Sequence, residues 1–177
     1  MAVQARASAV EYTVVPIAEA HIRGFRAALD AVARERRYLA FLEAPPLEDV
    51  ELFVRRNMER DNPGFVAIAG GEVVGWCDIT PMVRAVFAHR GVLGMGVLEA
   101  YRGAGIGRAL IGAAIAGARA RGLARVDLEV LSDNARAIAL YRAVGFVVEG
   151  VKRDAYRVDG RSVELIDMAL FLDGAAP

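Results

Sequence analysis

The stretch Tyr101-Arg102-Gly103-Ala104-Gly105-Ile106-Gly107-Arg108 has the composition of a site for a phosphorylated ligand. Glycines let a backbone turn several N–H groups towards one point, and a helix that starts there adds its own free N–H groups. Such a helix end carries about half a positive charge, which suits a pyrophosphate. Arg102 and Arg108 add cationic partners. Several patterns compete for the stretch. A P-loop requires G-x-x-x-x-G-K-[ST], which is absent. A dinucleotide fingerprint requires G-x-G-x-x-G. Gly103 and Gly105 fit it and Asp127 lies at the distance of a ribose-binding acid, but Arg108 stands where the third glycine belongs. A glycine-rich turn that caps a helix and binds nothing fits as well.

The surrounding elements must hold that loop between a strand and a helix. Glu11–Val15 reads as a first strand, followed by one helix, or two broken near Gly24, from about Ile17 to Arg37. Pro45-Pro46 stops it, and Leu47–Arg60 resumes helical spacing. Phe65–Ala69 and Val73–Thr80, joined by Gly70-Gly71, form a hairpin. Gly91–Leu98 is a strand in which Gly94 and Gly96 suggest a bulge or a close backbone approach. Ile106–Arg121 is helical. Arg125–Leu131 alternates, with Val126, Leu128 and Val130 on one face and Asp127, Glu129 and Leu131 on the other. A short helix over Asn134–Val144 and strands over Phe146–Val151 and Val163–Phe171 complete the order. Strands come as β, then β-β-β, then β, then β-β, so the sheet is mixed and not doubly wound.

Bulk properties narrow the function classes. The chain of 177 residues reads as a single domain over 1–177, with no internal repeat or linker. Twenty-two basic residues balance twenty-two acidic ones, which gives no general pull towards nucleic acid or anionic lipid. One cysteine, Cys77, excludes an internal disulfide and a multi-cysteine metal site, so no metal is expected. The longest apolar run, Ala109–Ala118, falls short of the roughly 20 residues needed to span a bilayer. Met1–Val10 lacks the pattern of a secretory leader, so a cytoplasmic protein is expected.

From Arg102 the sequence matches the R/Q-x-x-G-x-G/A signature of the GNAT acetyltransferases, as Arg102-Gly103-Ala104-Gly105-Ile106-Gly107. Leu128-Glu129-Val130 followed by Asn134, Ala137, Leu140, Tyr141, Gly145 and Phe146 resembles the second conserved block of that family. The two blocks stand in the family's order and separation, and together cover about Val92–Val147. Within the family, Glu149–Met168 is similar to the end of small bacterial amino-acid and amine N-acetyltransferases. The Leu128–Phe146 block is similar to that of ribosomal-protein N-terminal acetyltransferases.

The resemblance implies an α/β GNAT fold: a mixed, mostly antiparallel sheet with splayed central parallel strands, flanked by helices. It implies acetyl-CoA as co-substrate, its pantetheine arm hydrogen-bonded by Met95 and Val97, its pyrophosphate on Arg102, Gly103, Ala104, Gly105, Ile106 and Gly107, and a further contact from Asn134. Asn134 is equally an N-cap. The acceptor implied is a primary amine of a small, amino acid-like molecule, with a peptide N-terminus as alternative. Homodimers are common in the family and the C-terminal strands could support one.

Acyl transfer needs a neutral amine, a donor for the developing charge on the thioester oxygen, and a proton for the departing thiolate. A backbone N–H near Val97 is the candidate oxyanion donor. Tyr141 is the candidate acid, against a core tyrosine whose hydroxyl is satisfied by backbone. Glu129 is the candidate base, acting through water, against a solvated strand carboxylate. His21 and His89 lack partner patterns, Cys77 reads as a buried thiol, and nothing singles out Asp78 or Glu99. Ala33–Glu43 is a candidate acceptor wall, against an amphipathic helix with a basic face. A rival outside the enzymes is an acyl-CoA sensor that does no chemistry.

Overall fold

A computed structural model describes residues 10–172; the absence of a leader was read from residues almost all of which lie outside that range. The elements run β1 (Thr13–Pro16), α1 (Ile22–Arg34), α2 (Leu47–Glu59), β2 (Gly64–Ala69), β3 (Glu72–Pro81), β4 (Arg90–Val97), α3 (Ile106–Ala120), β5 (Arg125–Leu131), α4 (Ala135–Val144), β6 (Val147–Val158) and β7 (Arg161–Phe171). Short 3-10 turns at Glu19–His21 and Glu99–Tyr101 lead into α1 and into the glycine loop.

Among the described residues the seven strands form one sheet in the order β1-β2-β3-β4-β5-β7-β6. The β4–β5 pair is parallel and the others are antiparallel. Each face buries one pair of helices. Phe25, Leu29 and Val32 of α1 and Val54 of α2 pack with Val66 and Trp76 on one side. Leu110, Ile111 and Ala114 of α3 and Ile138 of α4 pack with Cys77, Ile79, Val126 and Leu128 on the other. No helix of the described residues is long and apolar enough to cross a membrane.

Several expectations need correction. Gly24 does not break α1; its missing side chain makes room for Val73, whose Cγ2 would lie 2.9 Å from an added Cβ. The helix also stops at Arg34 rather than Arg37. The strand expected to end at Val151 runs on to Val158 and turns through Asp159 and Gly160, both at positive φ, as a two-residue hairpin demands. Polar residues and a register irregularity between Lys152 and Tyr156 hide that extension from period-two reading.

Gly94 and Gly96 make no bulge, because β3 and β4 stay in register from Gly75–Val97 to Pro81–Gly91. The close approach is real, however. A Cβ on Gly96 would overlap the ring of Trp76, which is itself wedged against Phe25 at 5.7 Å between centroids. Gly96→Ala should therefore cost about 1–3 kcal/mol through overpacking. In a domain of this size that lowers Tm by roughly 2–10 °C, readable by calorimetry.

Candidate active site

The site begins where two strands part. β4 and β5 pair only through Arg90–Val92 and Arg125–Asp127. Beyond that, β4 stays with β3 while β5 stays with β7 as far as Leu131–Leu165, and a gap opens between them. Leu98 donates its N–H to the Val74 carbonyl at 2.9 Å. Antiparallel pairing alternates, so the backbone groups of Met95 and Val97 point the other way, into the gap. The cleft has a volume of about 1650 Å³ and runs from the glycine loop to the acidic face of β5 and β7.

At one end lies the loop. Gly103 and Gly105 hold φ of +85° and +84°, conformations that favour glycine, and nothing lies within 4 Å of a Cβ placed on Gly103. Gly105 is the N-cap of α3 and makes no side-chain cap, so the first N–H groups of that helix face an open cradle. Gly107 is different. It lies inside α3, where an added Cβ would meet Leu140 of α4 at 3.2 Å, so it serves helix packing and not the turn. Ile106 is buried in the core and Ala104 packs against it, which leaves both only backbone to offer.

Charge at this end is informative. Arg108 sits in the first turn of α3 and Arg136 in the first turn of α4, and neither turn carries an acid. Cations there oppose the helix dipole by typically ~0.3–1 kcal/mol each, a cost that a bound polyanion removes. Both line the cleft without an ion-pair partner among the described residues. Arg136 was not picked out from sequence, although a basic residue directly after an N-cap is a readable signal.

Arg102 is oriented otherwise than expected. Its Nε donates to the Val97 carbonyl at 2.8 Å, and its guanidinium forks onto Glu35 at 2.8 and 2.5 Å. It also stacks on Tyr38, 4.9 Å from the ring centroid. The side chain therefore ties the glycine loop to the C-terminal end of α1. With the two partners only 16% and 22% exposed, the pair is screened weakly. Glu35→Gln should disorder residues 35–46 and raise the acceptor KM several-fold with little change in coenzyme Kd, which steady-state kinetics and calorimetric titration would separate.

Tyr141 stands midway along the cleft, 8% exposed, with its ring 5.8 Å from that of Phe146. No protein group among the described residues hydrogen-bonds its hydroxyl. Burial, with Cys77 second, pushes the phenol well above its ordinary range, so it is a donor at any physiological pH. Asn134 caps α4 by accepting from the Ala137 N–H at 3.2 Å, and its amide also lines the cleft.

The opposite end is acidic and roofed. Glu129 faces away from buried Val126, Leu128 and Val130, as the alternation requires, and pairs with Lys152 at 2.5 Å. Lys152 also meets Asp167 at 2.9 Å. Beside them Arg90 and Arg125 share Asp127 at 2.9 and 2.7 Å, and Arg125 also holds Glu149. Residues 35–46 form a strap over this face. The Arg36 guanidinium clasps Asp159 at 2.7 and 2.6 Å, and the Tyr156 hydroxyl donates to the Leu39 carbonyl at 3.1 Å. The expected wall at Ala33–Glu43 is helical only at Ala33 and Arg34; from Glu35 on it is a strap contributing Tyr38, Leu39, Ala40 and Phe41 to the cleft.

Of the remaining candidates only Glu99 lines the cleft. His21 Nδ1 accepts from the Ala18 N–H at 3.0 Å within its 3-10 turn, and burial holds the Cys77 thiol well above its usual value. His89 does not line the cleft; Glu99 does. Among the described residues no group of acids, histidines and cysteines could hold a metal ion.

A model described as the acetyltransferase (GNAT) family matches residues 27–146. N-alpha-acetyltransferase RimI of Mycobacterium tuberculosis is 43% identical over 94 residues, which cover 53% of this chain and 58% of that protein, under two thirds of its length. The ribosomal-protein-alanine N-acetyltransferase of Brucella melitensis shares 26% identity with a TM-score of 0.84, covering 90% of this chain and 99% of that one. A phosphinothricin acetyltransferase of Sinorhizobium meliloti, solved in complex with acetyl-CoA, has a TM-score of 0.86 at 20% identity, covering 94% and 91%; at that identity the likeness is one of fold.

Proposed function

The chain belongs to the GNAT acetyltransferase family, and on that premise we propose that it moves an acetyl group from acetyl-CoA to the primary amine of a small acceptor by direct attack. The observation that carries the proposal is the continuous gap between β4 and β5, with a glycine cradle at one end and, among the described residues, two arginines without ion pairs there and a tyrosine hydroxyl without a hydrogen bond along it. Acetyl-CoA supplies the activated acyl carbon as a thioester. The N–H groups of Gly103, Gly105 and the first turn of α3, with Arg108 and Arg136, hold its diphosphate. Asn134 and the backbone of Met95 and Val97 align the pantetheine arm, and Arg102 serves by fixing Val97 and Glu35.

As the amine nitrogen bonds to the acyl carbon and the C–S bond breaks, the gap-facing N–H at Val97 takes the charge on oxygen and Tyr141 gives its proton to the sulfur. Glu129, through water, takes the proton that the nitrogen loses. The strap supports a small acceptor, because it lines the cleft with Tyr38, Leu39, Ala40 and Phe41 and is clasped to Asp159 and Tyr156. A peptide N-terminus is the second reading. It is favoured by the likeness to RimI and to the Brucella enzyme, both named for action on α-amino or alanine nitrogen.

Cytoplasmic residence belongs to the same proposal, as does a homodimer through the β6 edge, where Val147, Val148 and Val151 are exposed. Thermal shift with acetyl-CoA against NAD and NADP, followed by thiol release across amines, amino acids and short peptides, tests the activity. Stabilisation by acetyl-CoA alone and amine-dependent thiol release are expected. A shift without release marks a sensor, and protection by NAD or NADP instead would overturn the assignment.

A further inference from the structure

Arg102 makes two kinds of contact through different atoms of one side chain. Its Nε donates to the Val97 carbonyl at 2.8 Å, and its two terminal nitrogens meet the Glu35 carboxylate at 2.8 and 2.5 Å. The 3-10 turn Glu99–Tyr101 brings the first contact within reach. Tyr101 donates to the Leu98 carbonyl at 2.9 Å and Arg102 to that of Glu99 at 3.2 Å, which folds the chain back so that a side chain at 102 meets residue 97. Tyr38 lies over the guanidinium, and Tyr38, Val97 and Arg102 all line the cleft. The positive charge is matched by Glu35, so little of it is left to act on the cradle.

Val97 is where β4 has least support. Its pairing with β5 ends at Val92, so the main-chain groups of Val97 that face the gap have no ladder to join. The peptide joining Val97 to Leu98 is nevertheless held from both sides. Its N–H, that of Leu98, bonds to the Val74 carbonyl at 2.9 Å, and its carbonyl takes the Arg102 Nε. The Val97 N–H belongs to the preceding peptide and faces the same gap. That peptide begins at Gly96, a residue with no side chain to restrict its backbone. Fixing the peptide on the far side of Val97 therefore limits how far this N–H can swing. The bond has a second effect. An unmet carbonyl oxygen in the gap would set a partial negative charge near the one growing on the thioester oxygen, and the Arg102 donor offsets it.

Resting on the transferase reading, we propose that Arg102 is a positioning residue for acyl transfer: its Nε holds Val97 so that the Val97 N–H meets the thioester oxygen, while its terminal nitrogens separately hold the strap through Glu35. One atom of the side chain serves the chemistry and two others serve the acceptor. What the reaction needs from Arg102 is then the Nε–H donor and not the positive charge. Two substitutions divide the side chain along that line. Glutamine carries its amide nitrogen as many bonds from Cα as arginine carries Nε, so Arg102→Gln keeps a donor for Val97 and loses the fork onto Glu35. Lysine has a methylene at that place and its ammonium one atom beyond, so Arg102→Lys keeps a cation for Glu35 and loses the donor.

In single-turnover reactions at saturating acetyl-CoA and acceptor, Arg102→Lys should lower the rate about 10–100-fold, the scale of a misplaced catalytic group. Arg102→Gln should lower it far less and raise the acceptor KM severalfold, as Glu35→Gln does, and Arg102→Met, with neither donor nor cation, should show both losses. Isotope-edited infrared spectra of bound [1-13C]acetyl-CoA read the same contact without turnover. The thioester carbonyl stretch should fall to lower frequency on the unsubstituted protein and on Arg102→Gln, and fall less on Arg102→Lys and Arg102→Met. Equal rates and equal carbonyl shifts for the Gln and Lys variants overturn the proposal, as does the reverse order. A Kd for acetyl-CoA that Arg102→Gln weakens strongly puts the guanidinium on the diphosphate and overturns it as well. An unshifted carbonyl on an unsubstituted protein that does release thiol removes the Val97 donor and leaves the transferase reading standing. An unsubstituted protein that acetyl-CoA does not stabilise sinks the transferase reading itself.

Discussion

Replacing Tyr141 by phenylalanine is expected to lower kcat by ~10²–10⁴-fold while the Kd for acetyl-CoA stays within about twofold. The ring does the packing, against Phe146 and the α3 side of the sheet, and the substitution keeps the ring. The hydroxyl makes no protein hydrogen bond among the described residues, so its removal leaves no orphaned partner and Tm should hold or rise slightly. A tyrosine present only for packing would give the opposite pattern, with kcat untouched. Because burial keeps the phenol protonated far above neutrality, Tyr141 sets no limb of the pH–rate profile between pH 6 and 9. Single-turnover kinetics, a calorimetric titration with acetyl-CoA and a melting curve on one preparation decide between the two patterns.

Much of this arrangement is legible in the chain because the physics behind it is local. The hairpin at Gly70-Gly71 follows from two residues that tolerate positive φ, and the turns there have φ of +57° and +84°. Asn134 at the start of α4 and Gly145 at its end are cap signals that need no partner elsewhere. The alternation of Arg125–Leu131 places Glu129 on the correct face without knowledge of its neighbours. Local signals give positions along the chain, and they stop at side-chain direction. Arg102 belongs to the glycine loop by sequence, yet its guanidinium turns to Glu35, 67 residues away, because a partly buried fork of charge-assisted bonds outweighs exposure at the loop.

The same limit hides the strap and the ion pairs of Lys152. Arg36 and Asp159 are 123 residues apart, and Lys152 lies on a stretch whose register irregularity erases the period of two. The reason for Gly96 was hidden too, since the glycine is required by Trp76 on the neighbouring strand and not by its own turn geometry. The first-turn arginines are a separate case. Arg108 and Arg136 are visible in the sequence, and helix electrostatics makes both anomalous once the helix starts are known.

Asp78→Asn is expected to stabilise the protein at pH 8 and to change little near pH 4. Asp78 lies on β3 opposite Gly94, and among the described residues its one side-chain partner is the Thr80 hydroxyl, which donates at a long 3.4 Å. Burial, only partly offset by that bond, pushes the carboxyl from 3.8 up to about 7. Below the ordinary value of 3.8, Asp78 is protonated in both folded and unfolded chains and exerts no pull. As pH rises from about 4 to about 7, the unfolded chain releases the proton while the folded chain retains it, so unfolding is progressively favoured. Above about 7 the folded carboxyl ionises too, and the penalty levels off at no more than roughly 4 kcal/mol. An asparagine cannot ionise, so the variant escapes the whole of that loss. Melting curves of the two proteins should nearly coincide at about pH 4 and separate progressively from there to about pH 7. They should stand apart by several degrees at pH 8, at ~2–4 °C per kcal/mol for a chain of this size. A constant difference across that range would mean that Asp78 is ionised throughout and that its burial is balanced by water.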